Sequence, residues 1–270
     1  MRATSRRPSE TEPSGEERLQ KTLARAGYGS RRTAEELIEQ GRVRVGRRVA
    51  RLGDRVDPVA DLITVDGIPV PAHPELRYFA LNKPRGVTST LRDSHATRTL
   101  ADFLPEGPRV FPVGRLDRES EGLLLLTNDG ELANRLQHPR YGVEKEYLVE
   151  AEGPVAHGDI RRLTNGVELD DGIARAIRAR EIQRGAGKTA IGLVMAEGRK
   201  REVRRMMEAL GHRVGRLVRV RVGPVMIGSL PPGKIRPLTK EEVSGLYTVS
   251  GLARATLGAH RRSSRDRASL

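Results

Sequence analysis

The stretch Val113-Gly114-Arg115-Leu116-Asp117-Arg118-Glu119-Ser120-Glu121-Gly122-Leu123-Leu124-Leu125-Leu126-Thr127-Asn128-Asp129-Gly130 decides how the rest of the chain is read. Leu123 to Leu126 form an unbroken apolar run of strand length, bounded by Gly122 and by the turn-forming Asn128, Asp129 and Gly130. The spacing predicts a strand buried on both faces. A rigid strand fixes whatever precedes it, and what precedes this one is a charged loop in which Asp117 holds one carboxylate beside the strand. Thr127-Asn128-Asp129 is expected to cap the helix that follows.

Working outward, 270 residues hold one large domain or two modest ones, and 37% hydrophobic content with 31% charge predicts a soluble globular protein. A net charge of +14 points to a polyanionic partner, with nucleic acid the leading class, while 3% aromatic content argues against extensive base stacking on an open sheet. The chain has no cysteine, which excludes disulfides, thiolate catalysis and cysteine-ligated zinc and fits a reducing cytoplasm. Residues 1–15 lack the apolar core of a signal peptide, and no segment approaches about eighteen consecutive apolar residues, so neither secretion nor membrane insertion is expected. His95, His138 and His212 have no ligand spacing with carboxylates or each other, so no metal site is predicted.

Residues 1–15 and 250–270 are rich in Ser, Arg, Gly or Pro and read as flexible tails. The second is basic through Arg254, Arg261, Arg262, Arg265 and Arg267. From Glu16 the pattern becomes compact. Leu19, Leu23 and Ala26 recur at helical spacing before Gly27, Ser30 caps a second helix over Arg31 to Gln40, and Gly41 ends it. Val43, Val45 and Val49 then alternate with arginines around a Gly46 turn, and Asp61 to Val65 reads as a further strand. Pro69, Pro71 and Pro74 suit a linker over 66–76. Beyond it, over 77–249, strands are predicted at Tyr78–Leu81, Val110–Val113, Leu123–Leu126, Tyr147–Glu150, Ala174–Ile182, Thr189–Ala196 and from Arg213 to Ile227. Helices are predicted at Asp129–Gln137, Lys200–Leu210 and, behind a Thr239/Glu242 capping box, Lys240–Leu246. Runs of strands with few helices favour an α+β fold with a mainly antiparallel sheet.

The segment around Asp117, together with Lys145-Glu146-Tyr147-Leu148-Val149 and Gly198-Arg199-Lys200-Arg201-Glu202-Val203-Arg204-Arg205-Met206, resembles the pseudouridine synthases of the RsuA/RluB/RluE/RluF family. In phrasing, Glu121 to Asn134 is nearest the branch that modifies large-subunit ribosomal RNA. Residues 16–65, from Arg18-Leu19-Gln20-Lys21 through Gly27-Tyr28-Gly29-Ser30-Arg31-Arg32 to Val43-Arg44-Val45, resemble the αL-type RNA-binding module shared by a small-subunit ribosomal protein and many RNA-modifying enzymes. Two departures are visible. Gly46 is followed by Arg47 and Arg48 where such modules usually carry Asn-Gly, and Glu202 stands where related enzymes usually have Gln.

Pseudouridine formation breaks the nitrogen–carbon glycosidic bond, turns the uracil and rejoins it through carbon 5, without oxidation and with no cofactor. It calls for one ionised carboxylate and a pocket for the detached ring. The resemblance implies that Asp117 is the catalytic carboxylate, that Arg204 keeps it ionised with Arg205 in reserve, and that Tyr147 stacks on the base. In the module it implies RNA contacts from Arg31, Arg32, Arg42 and Arg44. Arg115 is expected to meet a phosphate or brace the loop. Lys83, in the Lys83-Pro84-Arg85-Gly86 turn, is expected to be structural first and RNA-contacting second. From Gly198 to Val222 nine Lys or Arg face only Glu202 and Glu208, a net +7, so Arg199, Lys200, Arg201 and Arg205 are expected to line a basic RNA surface. The whole reads as a monomeric, cytoplasmic ribosomal RNA pseudouridine synthase. A sister enzyme acting on small-subunit RNA or tRNA, and a noncatalytic ribosome-assembly factor, are the alternatives.

Overall fold

The computed structural model describes residues 16–71, 75–91 and 97–252. The arginines from 254 onward and His95 lie outside the described residues. The chain divides between Glu75 and Leu76 into two compact units.

In the first unit, β1 (Glu17–Arg18) leads into α1 (Leu19–Arg25), and the Ser30 hydroxyl accepts from Thr33 N at 3.1 Å to cap α2 (Arg31–Glu39). Strands β2 (Val43–Val45), β3 (Arg48–Val49), β5 (Ile63–Val65) and β6 (Ile68–Pro69) form an antiparallel sheet in the order β3-β2-β5-β6. β4 (Arg55–Val56) pairs with β1. Leu19, Leu23, Ala34, Ile38, Val43 and Val56 close the core between the helices and the strands. The stretch read as a linker thus begins with a strand. Asp66 and Gly67, both at positive φ (51° and 81°), make a two-residue hairpin that pairs Ile68 with Val65. Pro69 is tolerated there because β6 lies at the sheet edge.

The second unit is built on a nine-stranded sheet. Its elements are β7 (Tyr78–Lys83), β8 (Phe111–Pro112), β9 (Glu121–Thr127), α3 (Gly130–Gln137), β10 (Lys145–Glu152), α4 (His157–Asn165), β11 (Val167–Leu169), β12 (Gly172–Ala174), β13 (Arg178–Gly185), β14 (Lys188–Met195), α5 (Glu202–Ala209), β15 (Val214–Val222), β16 (Val225–Met226), β17 (Ile235–Pro237) and α6 (Lys240–Val249). The main path runs β13-β14-β10-β15-β9-β7-β17, with β16 on β15 and β8 on β9, and β11 and β12 form a separate hairpin. Every pair in the large sheet is antiparallel except β15 with β9. The fold is therefore α+β with a mixed, mainly antiparallel sheet.

β9 is buried on both faces, as its four leucines require. Leu123 and Leu125 pack towards α3 and α6, while Leu124 and Leu126 pack on the opposite face against Leu81, Val87 and Leu100. Each fully buried leucine contributes roughly 1.5–3 kcal/mol, so the run anchors the loop before it. Asp129 caps α3 by accepting from Glu131 N (3.1 Å) and Leu132 N (3.0 Å), and Thr239 with Glu242 forms the expected capping box on α6. Val203, Met206 and Met207 of α5 turn into the core.

The structure differs from the pattern reading at three places. Helix α4 carries only Ile160 and Leu163 as buried anchors, too few for a periodicity signal. The strand expected over Ala174–Ile182 is two elements, because Ala176 N turns to Leu163 O before Ile177 N joins Val194 O. The first residues of the tail expected from 250 are packed instead: Ser250 is fully buried and Leu252 lies in the core beside α3 and α6.

Candidate active site

Asp117 sits in the loop between β8 and β9, and that loop is held from two sides. On one side the Ser89 hydroxyl donates to Leu116 O (2.6 Å) and accepts from Leu116 N (3.1 Å), while Gly86 N donates to Arg118 O at 2.7 Å. The segment supplying these contacts is itself fixed by Lys83, which is 0% exposed and whose ammonium donates to Pro84 O (3.0 Å) and Val87 O (2.8 Å). Burial lowers the Lys83 pKa to about 8. On the other side α5 reaches in: Arg204 donates to Glu119 O at 3.3 Å, and Arg201 pairs with the Glu119 carboxylate at 3.5 Å. Within the loop, Ser120 N donates to Asp117 O at 3.0 Å, a tight turn that precedes β9. The Asp117 carboxylate itself makes no hydrogen bond or ion pair with a described residue. It is left to act on a ligand.

Asp117 lines a cavity of about 620 Å³ together with Arg115, Tyr147, Lys145 and Arg219. That volume falls within the roughly 300–1,000 Å³ typical of small-molecule sites. Tyr147 and Lys145 project from β10 at positions two apart, hence from one face, and Tyr147 lies opposite Arg219 of β15 across a register shift between Glu146 and Tyr147. Gly122 is the partner of Arg219 on the other side, at φ 103°. A Cβ there would lie 2.3 Å from Arg219 O, so the close parallel approach of β9 and β15 admits only glycine.

Several expected residues take other roles. Lys83 is buried and its ammonium donates to two backbone carbonyls, which is the structural role expected of it first. Arg204, expected to grip the Asp117 carboxylate, does not line the cavity. It is 5% exposed and donates to Val214 O (3.1 Å) and Glu119 O, so it braces the loop's backbone instead. Burial and the neighbouring Arg201 charge lower the Arg204 pKa, and the charges of Glu119 and Asp117 oppose that shift.

The basic stretch is also largely neutralised. Arg199 pairs with Glu197 (2.9 Å), Arg205 with Asp171 (2.9 Å), Arg216 with Glu121 (2.9 Å) and Arg221 with Glu144 (3.0 Å) and Glu146 (2.9 Å). Arg205 is therefore bound away from the cavity, whereas Arg199, Lys200 and Arg201 line it and Lys200 is exposed there. In the first unit Arg31, Arg32, Arg42 and Arg44 are all exposed, but Arg42 is paired with Asp66 at 2.5 Å and Arg44 donates to Arg47 O.

Sequence reasoning missed Ser89, Lys145 and Arg219. Arg219 had a signal, since it follows the buried Leu217 at a spacing of two along β15, which turns both inward. Ser89 had none, because its partner is 27 residues away. Among the described residues no group of three or more His, Asp or Glu could hold a metal ion.

Residues 77–209 match the family model for RNA pseudouridylate synthase, and residues 17–63 match that for the S4 domain. The chain is 46% identical over 243 residues to an RNA pseudouridine synthase of Mycobacterium leprae, covering 88% of this chain and 95% of the relative. The chain belongs to the RNA pseudouridine synthases. It is also similar to the ribosomal large subunit pseudouridine synthase B of Bacillus subtilis, at 42% identity over 238 residues, 87% of this chain and 97% of the relative. A crystal structure of a pseudouridylate synthase superposes with a TM-score of 0.60 at 30% identity, covering 85% of this chain and all but 1% of that one. A pseudouridine synthase with an S4 RNA-binding domain is thus an isomerase whose substrate is RNA.

Proposed function

We propose that this pseudouridine synthase isomerises a specific uridine of 23S ribosomal RNA, as a monomer in the cytoplasm, with Asp117 as its catalytic carboxylate. The observation that carries the reading is the Asp117 carboxylate, without a hydrogen-bond or ion-pair partner among the described residues, on the wall of a cavity of about 620 Å³ that also presents Tyr147. A flipped uridine enters with its ring against Tyr147, a contact of roughly 1–3 kcal/mol. The Asp117 carboxylate attacks the sugar or removes its proton as the glycosidic bond breaks. The detached uracil turns within the cavity and its carbon 5 bonds the sugar, as the carboxylate leaves the sugar or returns the proton it took; the carbon 5 proton then leaves and the freed ring nitrogen takes one up. Arg204 and Ser89 act through the loop, keeping Asp117 in place while the ring turns. The large-subunit target is supported by the resemblance to synthases of that name, and no helix among the described residues is long and apolar enough to cross a membrane.

The test is tritium release from uridine labelled at carbon 5 in 23S ribosomal RNA transcripts. Wild type releases tritium and Asp117→Asn does not; equal release by both removes Asp117 from the chemistry. A map of pseudouridines after deletion of the gene then identifies the position lost. A loss in small-subunit RNA or tRNA would reassign the target.

A further inference from the structure

Among the cations that line the cavity, Arg219 and Lys145 project from adjacent strands of the sheet and the isomerisation as described leaves both unused. Arg219 is 4% exposed, yet its only hydrogen bond runs from Nε to Leu123 O at 2.8 Å. Both terminal nitrogens are without a partner among the described residues, on a side chain that lines the cavity. Lys145, on the neighbouring strand, donates one of its three protons to Val143 O at 3.1 Å. Neither residue forms an ion pair with a described carboxylate. Glu202, the acid whose charge favours the Lys145 ammonium, is committed to Arg199, accepting from its backbone N–H at 3.2 Å and pairing with its guanidinium at 3.5 Å. Burial and the nearby Arg219 charge lower the Lys145 pKa to about 8, so the two cations oppose each other. Two like charges held this close in a sheltered site are costly unless an anion joins them.

We infer that Arg219 and Lys145 form a phosphate seat in the floor of the cavity, which takes a phosphate flanking the target uridine while Asp117 meets its sugar. The inference rests on the reading of the cavity as the uridine site. The planar guanidinium offers its paired Nη donors to a phosphate, and the ammonium supplies a second charge. The absent Gly122 side chain admits the Arg219 backbone against β9, which sets where its side chain begins. The seat fixes the sugar by its phosphate, so the released base turns while the ribose stays.

The experiment compares uridine, 3′-UMP, 5′-UMP and inorganic phosphate as ligands of the full chain, by ligand-observed NMR at millimolar concentrations. At least one monophosphate binds about tenfold more tightly than uridine, as a charge-assisted contact requires. Inorganic phosphate displaces that monophosphate more effectively than it displaces uridine. Lys145→Gln and Arg219→Lys each reduce the preference for the monophosphate while leaving uridine binding within about twofold. Equal binding of uridine and both monophosphates by wild type overturns the seat, and this arm needs no variant to fold. Equal losses for uridine and the monophosphate in both variants overturn it too, by placing these cations on the base. Failure of the proposed reaction would show separately, as absence of tritium release by wild type.

Discussion

Arginine in the N-terminal unit and arginine around the cavity occupy opposite surroundings. Arg31 and Arg32 stand exposed at the start of α2, and Arg44 is exposed on β2, where water already solvates their charge. In the larger unit Arg204 and Arg219, with Lys83, are buried and bonded to main-chain carbonyls; they work as struts, and only Arg219 keeps donors free towards the cavity. The difference teaches that net charge measured along the sequence overstates the surface left for RNA. Of the basic residues between Gly198 and Val222, several are cancelled by Glu121, Glu144, Glu146 and Asp171, acids distant in sequence and adjacent in the fold.

The contrast can be broken from the buried side first. Asp117→Asn, at a carboxylate that makes no hydrogen bond or ion pair with a described residue, is expected to lower kcat by about 10⁴-fold or more with Tm unchanged. A fall in Tm matching the loss of activity would show that the loop had collapsed. Gly122→Ala places a methyl group against Arg219 O and is expected to lower Tm by about 10 °C or more in a thermal scan. Ser89→Ala leaves the Leu116 N–H and carbonyl without their partner, at a cost of roughly 1–3 kcal/mol. Tritium release should therefore fall tenfold or more in kcat, with KM little changed.

A subtler probe is pH. Burial lowers Lys145 from 10.5 to about 8, so kcat/KM falls as pH rises through 8 and the cavity loses a positive charge. Lys145→Arg should move that fall to higher pH, and an unchanged profile would detach it from Lys145. The sign for folding is opposite. Between about pH 8 and 10.5 the unfolded lysine binds protons that the folded one has released, so the burial cost felt in full below pH 8 is relieved across that window. The smallest effect belongs to the exposed side. Arg31→Ser with Arg32→Ser should raise KM about five- to tenfold and reduce the salt slope by about two, with kcat unchanged. A fall in kcat would mean that these residues do more than hold RNA.

Much of this was legible in the sequence where one element decides its own form. The four leucines of β9, the Asp129 and Thr239 caps and the inward face of α5 follow from period and capping chemistry. So did the placing of Asp117 and Tyr147 in one site, through the motifs around them. What escaped was set by partners remote along the chain. Lys83 reads as part of a turn until β7 is seen to run through it, and Arg204 reads as a carboxylate partner until Val214 O and Glu119 O claim its donors. Asp66-Gly67 was legible as a hairpin pair but was masked by the prolines that follow it.

The pairing of β9 with β15 has a consequence for synthesis. Residues 121 and 122 find their partners only at 218 and 219, nearly a hundred positions later. While a ribosome is still extending the chain short of Glu202, β9 has only β7 and β8 beside it and the Asp117 loop lacks both α5 and β15. The segment carrying Asp117 is therefore made well before the strand that completes its surroundings, and the site is assembled only when this late contact closes.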